Sequence, residues 1–226
     1  MSIDTEKILA LIPAYNEEKH IARVVEQARA YLSVVVVDDG SRDRTAEYAE
    51  AAGAYVIRQQ PNQGKGEALR TGFRYALGAG AQAVVMLDAD GQHDPQEIPL
   101  FLKAYHQEHS DLIIGLRDFS KMPVIRRTTN TIGRYLFSWA AGKYVPDNQS
   151  GYRLVSNRLM EAMLSSQEGG FEFEVDMIVV CLQRGYSLDW VPIRTIYADE
   201  KSHIRPLRHV YHYFRLVWQT RRRLKR

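Results

Sequence analysis

Short apolar runs alternate with segments of helical periodicity through the first half of the chain, and this alternation limits the folds that are open to it. Continuous Val and Ile runs of strand length, joined by amphipathic helices, are typical of βαβ units whose parallel sheet is covered on both faces. We therefore predict an α/β fold with a mostly parallel central sheet flanked by helices. The predicted strands and helices of this half, in chain order, are residues 8–12, 17–32, 34–37, 43–52, 55–57, 66–77, 84–87, 95–107 and 112–114.

The second half of the chain is less regular. No repeat, low-complexity stretch or linker separates it from the first half, so we predict one domain over residues 1–226. The predicted helices are residues 127–141, 157–164, 171–184 and a last one from about residue 206, with strands after residue 153 and over 188–196.

Polar residues follow three of the predicted strands at the point where each strand ends. The strand at 84–87 runs into Asp88 and Asp90, and the first two strands run into PAYNE at 13–17 and DDGS at 38–41. Because ligands of such sheets bind beyond the carboxyl ends of the strands, we expect the three clusters to meet at one edge. Acids one residue apart repel each other unless a positive charge lies among them. The pattern therefore predicts either a metal ion or a carboxylate that acts as nucleophile or base.

Five segments combine these strand ends with later motifs: IPAYNEE, VVVVDDGSRDRT, NQGKGEALRTG, VVMLDADGQHDP and DNQSGYR. Their order resembles that of the family 2 glycosyltransferases, and above all the polyprenyl-phosphate sugar synthases, which include the dolichyl-phosphate mannose synthases. The resemblance covers residues 8–153 and implies a GT-A, Rossmann-like fold that transfers a sugar with inversion from a UDP- or GDP-sugar. The implied acceptor is a polyprenyl or dolichyl phosphate at a membrane surface, and a hydroxyl on a glycan or another molecule is the alternative.

The resemblance also implies how the chain is divided and which residues form the site. Residues 1–118 would be a nucleotide-binding half, residues 119–204 an acceptor half and residues 205–226 a basic C-terminal helix or tail. The implied site residues are Pro13, Tyr15 and Glu17 for the nucleoside, Asp39 for the base, Asp88, Asp90 and Gln92 for a metal, Asp88 also for the ribose, Arg117 for the donor phosphates and Asp147 near the acceptor.

The chemistry of such a transfer independently favours a metal at Asp88 and Asp90. A nucleoside diphosphate gains charge as the glycosidic bond breaks, and a divalent cation neutralises that charge. Mg²⁺ and Mn²⁺ prefer carboxylate, amide and phosphate oxygens, so one of these ions is the predicted cofactor. The alternative for Asp90 is a turn cap, and for Glu17 it is an acid in the first turn of a helix. Lys65 is predicted near the donor phosphates, with a surface lysine as the alternative.

The acceptor decides whether a base is needed. A hydroxyl acceptor must lose its proton, and the candidates for that base are Asp147, Glu172 and Glu174. A phosphate monoester is already ionised near neutral pH and needs cations that position it, for which the candidates are Arg126, Arg127, Arg134 and Arg153. Arg117 and Asp147 are thus the predicted catalytic residues. The RxxGxSK segment of the family is replaced here by residues 197–203, and its substitutes would be Lys201, His203 or Arg205.

The C-terminal segment concentrates positive charge. Residues 205–226 contain eight Lys and Arg residues and no Asp or Glu, which leaves 22 basic and 27 acidic residues in the rest of the chain. Apolar and aromatic residues at helical spacing among these charges predict a helix that lies in a membrane interface. The alternative is a helix packed on the core. The members of this apolar stripe are Val210, Tyr211, Phe214, Val217 and Trp218.

Other classes of protein and other locations are disfavoured. No apolar run has the length of a membrane span, and one cysteine, Cys181, without a secretory signal favours the cytosol, so we expect a cytoplasmic protein, peripheral on the inner face of the membrane. DADGQ resembles the DxDGT motif of haloacid dehalogenase-type phosphatases, but it lies on the fourth strand and ends in Gln. A nucleic-acid-binding protein would explain the basic tail but not the acidic strand ends, so no nucleic acid partner is predicted.

Overall fold

A seven-stranded sheet forms the centre of the computed structural model, which describes residues 7–121, 124–170, 172–194 and 206–224. The strands are β1 (Ile8–Ala14), β2 (Ser33–Asp38), β3 (Tyr55–Arg58), β4 (Ala83–Met86), β5 (Leu112–Arg117), β6 (Arg153–Ser156) and β7 (Leu188–Ile193). The helices are α1 (Ile21–Ala28), α2 (Thr45–Ala51), α3 (Lys65–Gly78), α4 (Ile98–Glu108), α5 (Val124–Ala141), α6 (Asn157–Met163), α7 (Glu172–Gln183) and α8 (Pro206–Leu224). Short 3₁₀ turns cover Pro95–Glu97 and Phe119–Lys121.

The order of the strands is β3-β2-β1-β4-β6-β5-β7. Strand β6 runs antiparallel to both of its neighbours, and all the other pairs are parallel. The predicted mostly parallel sheet is confirmed, but the sequence pattern did not predict that a reversed strand enters between β4 and β5. Because β6 is reversed, its first residue lies at the same edge of the sheet as the last residues of β1, β2 and β4.

Helices cover both faces of the sheet, which explains why its strands are apolar at every position. In β1, Leu9 and Leu11 pack with α3 and α7 on one face, whereas Ala10 and Ile12 pack with α1 and α4 on the other. All four side chains are 5% exposed or less. A strand buried on both sides requires apolar residues without alternation, and the continuous runs in the sequence have this cause.

Two predicted boundaries differ from the structure at the edge where the strands end. Helix α1 begins at Ile21 and not near Glu17, because the chain turns at Asn16, whose φ is +56°. The backbone N–H groups of His20 and Ile21 donate to the carbonyl of Glu17, so Glu17 precedes the helix and is not an acid of its first turn. Strand β5 continues to Arg117, three residues further than predicted, and so carries that arginine to the strand end.

The C-terminal helix packs against the rest of the protein over the part whose side chains are described. Leu216 and Val217 are buried, and Arg223 pairs with Asp176 of α7. Trp218 remains 60% exposed. The predicted apolar stripe is therefore divided, since Val217 faces the core and Trp218 faces outward. The side chains of the other three members, Val210, Tyr211 and Phe214, lie outside the described residues. This part of α8 corresponds to the alternative of a helix packed on the core. Among the described residues, no helix combines the length and the apolar character that crossing a membrane requires.

Candidate active site

A cleft of about 450 Å³ lies at the carboxyl ends of β1, β2 and β4. It brings together residues from all three polar clusters, because the carboxyl ends of parallel neighbours share one edge of the sheet. Seven of the predicted site residues line it: Pro13, Tyr15, Glu17, Asp39, Lys65, Asp88 and Asp90. Asn62, Gly64 and three alanines complete the lining.

Hydrogen bonds between the end of β1 and the loop before α2 shape one wall of this cleft. The hydroxyl of Thr45 accepts from the backbone N–H of Glu17 at 2.7 Å, and the carboxylate of Asp43 accepts from Glu18 at 3.2 Å. Asp43 also accepts from the hydroxyl and the backbone N–H of Thr45. Slight burial would raise the pKa of Asp43, but these hydrogen bonds outweigh it and hold the pKa below its ordinary value. Sequence reasoning missed this pair, whose only signal was its position in the DDGSRDRT segment.

Asp39 anchors the loop that leads into α3. Its two carboxylate oxygens accept from the backbone N–H groups of Gln63 at 2.9 Å and of Gly64 at 2.7 Å. Asp38 accepts from the backbone N–H of Ser41 at 3.3 Å and so stabilises the turn that follows β2. Asp39 is thus held in place at the border of the cleft, which it lines although it is only 3% exposed.

The two carboxylates of the DADG turn reach the same cleft. Strand β4 ends at Met86, and the chain then turns at Gly91, whose φ is +78°. The imidazole of His93 is buried and accepts from the backbone N–H of Asp88 at 3.0 Å. Burial lowers the pKa of His93, so the ring acts as a neutral acceptor that fixes the turn. His93 is thus part of the core of this turn.

Asp90 feels the charge of its neighbour. One oxygen of Asp90 accepts from the backbone N–H of Gln92 at 2.9 Å, which is the turn-cap contact that sequence reasoning gave as the alternative. Burial, followed by repulsion from Asp88, raises the pKa of Asp90. A cation placed between the two carboxylates would remove this repulsion. Gln92 does not line the cleft.

Lys65 places a positive charge beside these acids. Its Nζ lies 2.6 Å from Oδ1 of Asp88 and 3.2 Å from Oε1 of Glu174. Burial works against the charge of Lys65, yet the two carboxylates raise its pKa above the ordinary value. In the same way, burial would raise the pKa of Asp88, but the ammonium of Lys65 lowers it to about 2. Both groups are therefore charged near neutral pH.

The segment before β6 and the first turn of α7 bring two further residues next to Asp88 and Lys65, although neither lines the cleft itself. A Cβ on Gly151 would lie 3.0 Å from Oδ2 of Asp88 and 3.0 Å from Oε1 of Glu174, so the backbone approaches both acids closely. Glu174 is 2% exposed. The sequence indicated Glu174 only as one candidate for a base and gave no role to Gly151, although Gly151 lies in the DNQSGYR motif and Glu174 at the start of the predicted helix at 171–184.

Arg153 corrects one of the predictions. We expected it to bind the substrate, but it is completely buried beneath the cleft. Its guanidinium donates to the backbone carbonyls of Ser150, Asn148 and Glu174. These bonds tie the segment before β6 to the first turn of α7, so the buried guanidinium of Arg153 has a structural role.

Arg117 and Asp147 form a two-point ion pair at the end of β5. The Nε of Arg117 donates to Asp147 at 2.7 Å, and its Nη2 donates to the other oxygen at 2.9 Å. Asp147 also accepts from the backbone N–H of Gln149 at 3.0 Å and is only 1% exposed. Both oxygens of Asp147 are thus engaged with Arg117, so this carboxylate fixes the orientation of the guanidinium. The catalytic role of Asp147 stays a prediction.

A second cavity, of about 400 Å³, lies between the 3₁₀ turn after β5 and helix α5. Its polar lining consists of Arg127, Arg134 and three hydroxyl residues, Ser120, Thr128 and Thr131. The guanidinium groups of Arg117 and Arg134 both lie over the ring of Phe119, at 5.8 Å and 5.4 Å from its centroid. Phe119 therefore connects the Arg117–Asp147 pair with this cavity. Lys201, His203 and Arg205 lie outside the described residues, as does the side chain of Arg126.

The donor atoms of the first cleft fit a hard divalent cation that shares its ligands with a substrate. Within the described ranges, no group of three His, Cys, Asp or Glu residues could hold a metal ion. Asp88 and Asp90 offer carboxylate oxygens in one cleft, and Mg²⁺ usually combines one or two carboxylates with phosphate oxygens and water. A closed zinc site needs three or four protein ligands, which this cleft does not supply.

Comparison with known proteins assigns the chain to a family. The profile of the family described as Glycosyl transferase family 2 matches residues 10–165. A UDP-N-acetylglucosamine–dolichyl-phosphate N-acetylglucosaminyltransferase of Methanococcus voltae is 31% identical over 218 residues, which cover 85% of this chain and 86% of the relative. A polyprenol monophosphomannose synthase of Mycolicibacterium smegmatis is 30% identical over 209 residues, which cover 84% and 77%.

Solved structures of other proteins resemble this chain in their fold. A glucosyl-3-phosphoglycerate synthase of Mycobacterium tuberculosis, solved with Mn²⁺, uridine diphosphate and glucosyl-3-phosphoglycerate, superposes with a TM-score of 0.72 at 21% identity. The match covers 96% of this chain and 78% of the other. The α/β architecture, with its mixed, mostly parallel sheet between layers of helices, is therefore GT-A-like.

Proposed function

This chain belongs to glycosyl transferase family 2, and we propose that it transfers a sugar from a nucleoside diphosphate sugar to a polyprenyl- or dolichyl-type lipid phosphate. The observation that carries the proposal is the lining of one cleft by Tyr15, Asp39, Lys65, Asp88 and Asp90. A nucleoside needs an aromatic ring to lie against and a hydrogen-bond acceptor for its base. The diphosphate needs a cation, and a bound metal ion needs a pair of carboxylates.

The nucleoside of the donor would lie against Pro13, Tyr15 and Glu17, with its base near Asp39. The carboxylate of Asp39 already accepts two backbone N–H groups, and a carboxylate has about four lone-pair positions. A ring N–H of uracil or guanine would use one of the others. Since the loop at 62–64 holds Asp39 fixed, the acceptor is preorganised for the base.

Asp88 and Asp90 would hold Mg²⁺ or Mn²⁺ against the diphosphate of the donor. When bound, such an ion neutralises the charge that the leaving diphosphate gains. Lys65 adds a second cation on the side of α3, within reach of the same phosphate oxygens. The name of one relative, which contains UDP-N-acetylglucosamine and dolichyl phosphate, supports the class of donor and acceptor. The polyprenol monophosphomannose synthase supports a polyprenol-type lipid, and the Mn²⁺ complex of the similar fold supports the class of metal.

The phosphate of the acceptor would bind in the second cavity. Arg127 and Arg134 supply two guanidinium groups, and the hydroxyls of Ser120, Thr128 and Thr131 supply further donors. Guanidinium groups bind phosphate through strong, charge-assisted hydrogen bonds. An ionised oxygen of the acceptor phosphate would attack the anomeric carbon from the face opposite the diphosphate. The bond between that carbon and the diphosphate oxygen would break at the same time, which inverts the anomeric centre. No general base is needed for this step, in agreement with an Asp147 that is already bound to Arg117.

An aromatic surface beside the second cavity suits a peripheral membrane contact. Its members are all at least 56% exposed and lie on α5, on the loop after it and on α8: Ile132, Tyr135, Trp139, Tyr144 and Trp218. Arg221 lies 4.3 Å from the ring centroid of Trp139, and Arg222 lies 4.4 Å from that of Trp218. Aromatic side chains bordered by arginine are typical of surfaces that contact anionic lipid headgroups. Because Ile132 also lines the second cavity, a lipid phosphate bound there would extend its chain toward this surface.

An activity assay with separated acceptors tests the proposal. Purified protein is incubated with labelled UDP- and GDP-sugars, with Mn²⁺ or EDTA, and with either a polyprenyl phosphate in anionic vesicles or a soluble sugar acceptor. We expect metal-dependent label in the organic phase with the lipid phosphate alone. Transfer to the soluble hydroxyl acceptor without a lipid-linked product would contradict the acceptor, and the absence of any transfer from either class of donor would contradict the reaction.

A further inference from the structure

The ammonium of Lys65 contacts a carboxylate that a divalent cation would also need under the proposed function. It contacts Oδ1 of Asp88 at 2.6 Å, and Asp88 is one of the two carboxylates that the proposed function assigns to the metal. A second contact, at 3.2 Å, reaches Glu174. Two cations cannot share one carboxylate oxygen without repelling each other. Lys65 and a metal ion therefore compete for Asp88.

The residues on either side of Lys65 are held by hydrogen bonds, so the fold keeps its ammonium close to Asp88. The backbone N–H of Gly64, directly before Lys65, donates to Asp39 at 2.7 Å and fixes the start of α3. Glu174 has a side chain that is only 3% exposed, next to the close backbone of Gly151. The carbonyl of Glu174 accepts from the buried Arg153, which holds the first turn of α7 in place.

The side chain of Lys65 is nevertheless open to a ligand. It is 32% exposed, and it lines the same cleft as Tyr15 and Asp39. A diphosphate in this cleft would offer the ammonium new oxygen acceptors, and four methylene groups give the side chain the reach to use them. Glu174 can keep one contact during this movement, since an ammonium has three donors.

We propose that Lys65 is an internal counter-ion that blocks metal binding at Asp88 until a nucleoside diphosphate draws its ammonium away. The inference rests on the proposed nucleotide-sugar function. It makes metal and nucleotide bind with positive coupling: each ligand raises the affinity for the other, because each favours the state in which Lys65 has left Asp88. Sugar transfer would then begin only when both are present.

Titration of Mn²⁺ into the full chain, with and without UDP or GDP, tests this proposal. The variants are Lys65→Met, which removes the charge at similar length, Lys65→Arg, which keeps the charge, and Lys103→Met, a control on the exposed face of α4. Binding is read by calorimetry and by the paramagnetic signal of free Mn²⁺, and circular dichroism checks the fold of each variant.

We expect Lys65→Met to bind Mn²⁺ without nucleotide about tenfold more tightly than the unaltered protein, a coupling of ordinary size for two linked sites. The nucleotide should raise the Mn²⁺ affinity of the unaltered protein, of Lys65→Arg and of Lys103→Met, but raise that of Lys65→Met much less. If Lys65→Met and the unaltered protein bind Mn²⁺ equally well without nucleotide, and nucleotide raises the Mn²⁺ affinity of both, the counter-ion role of Lys65 is overturned. The proposed nucleotide-sugar function would not be affected by that result. If Mn²⁺ does not bind the unaltered protein even with UDP or GDP, the proposed function and this inference both fall.

Discussion

The guanidinium of Arg117 is held by both oxygens of the Asp147 carboxylate, with N–O distances of 2.7 Å and 2.9 Å. Such a two-point ion pair fixes the plane of the guanidinium as well as its position. Asp147 reaches this position because the segment before β6 returns to the edge where β5 ends. We therefore propose that Asp147, which the sequence suggested as a candidate base, supports an arginine that lies 5.8 Å from the ring centroid of Phe119, at the second cavity.

Replacing Asp147 distinguishes orientation from base catalysis. We expect Asp147→Asn to lower kcat/KM about 10- to 100-fold, since hydrogen bonds to charged groups are worth about 1.5–3 kcal/mol. The acidic limb of the pH–rate profile should stay where it is, because no proton passes through this residue. A vanished acidic limb, or a loss well beyond that range, would restore Asp147 as the base. Asp189→Asn, on β7, serves as the control for a change of charge.

Removing Asp90 tests the metal assignment. Asp90→Ala should abolish metal-dependent transfer, because a single carboxylate would remain to hold the cation. It should change the Tm little, since Asp90 makes one backbone hydrogen bond and is repelled by Asp88. Transfer rates are measured at several Mn²⁺ concentrations, with thermal unfolding of the same samples. An Asp90→Ala protein with unaltered Mn²⁺ dependence would refute the assignment.

A methyl group at Gly151 should disturb the contacts that Asp88 and Glu174 make with Lys65. Its Cβ would stand 3.0 Å from carboxylate oxygens of Asp88 and Glu174, which Lys65 holds in place. Overpacking of this kind costs about 1–3 kcal/mol, so Gly151→Ala should lower both the Tm and the transfer rate. Gly78→Ala is a matched control, because its Cβ would meet no atom within 4 Å. Full activity and unaltered Tm in Gly151→Ala would show that these carboxylates can move.

The pKa of Asp43 predicts how stability depends on pH. Hydrogen bonds hold it below 3.8, its value in an unfolded chain. An acid whose pKa is lowered by folding stabilises the protein above its unfolded pKa, and this contribution is lost as the pH falls toward the folded value. The Tm difference between the unaltered protein and Asp43→Asn should therefore be constant at about pH 6–7. It should shrink below about pH 4, where the Asp43 carboxylate becomes protonated.

Thermal unfolding across this pH range measures the effect of Asp43. Glu26→Gln, an exposed acid on α1, controls for the general change of charge. A Tm difference that is the same at every pH would show that Asp43 acts only through the shape of its side chain.

The aromatic surface on α5 and α8 predicts the strength of vesicle binding. Trp139→Ala combined with Trp218→Ala should lower partitioning onto phosphatidylglycerol vesicles about tenfold or more, since burial of one large side chain is worth about 1.5–3 kcal/mol. Leu100→Ala, an exposed apolar residue on α4, is the control. Sedimentation with vesicles measures the bound fraction, and equal partitioning of all three proteins would contradict the membrane contact.

Substitutions suit this test better than truncation of the C-terminus. Arg221 donates to the carbonyl of Trp139 at 2.7 Å, and Arg223 pairs with Asp176. Removing these residues would expose the underside of α8 and alter the fold together with the surface. The basic residues that the sequence suggested for lipid therefore act in part as ties between α8 and its neighbours.

The sequence by itself determined the strands of the first half and the acidic residues at their ends. Continuous apolar runs in β1, β2 and β4 report burial on both faces, and this signal is local. Because parallel neighbours end at the same edge, the meeting of Tyr15, Asp39 and Asp88 followed from the pattern alone. The motifs in order also indicated the family, which the profile over residues 10–165 confirms.

Only the tertiary structure decided how the second half completes the site. The reversal of β6 brings Gly151 beside Asp88, and the first turn of α7 adds Glu174 as the second partner of Lys65. The fold also buries Arg153, which the sequence suggested as a cation that positions an acceptor phosphate. The direction of a strand and the partners of a charge depend on contacts between residues far apart in the chain, and periodicity reports only how each segment is buried. For that reason the acids of the site and Lys65 were visible in the sequence, whereas the pairing of Lys65 with Asp88 and Glu174 became visible only in the fold.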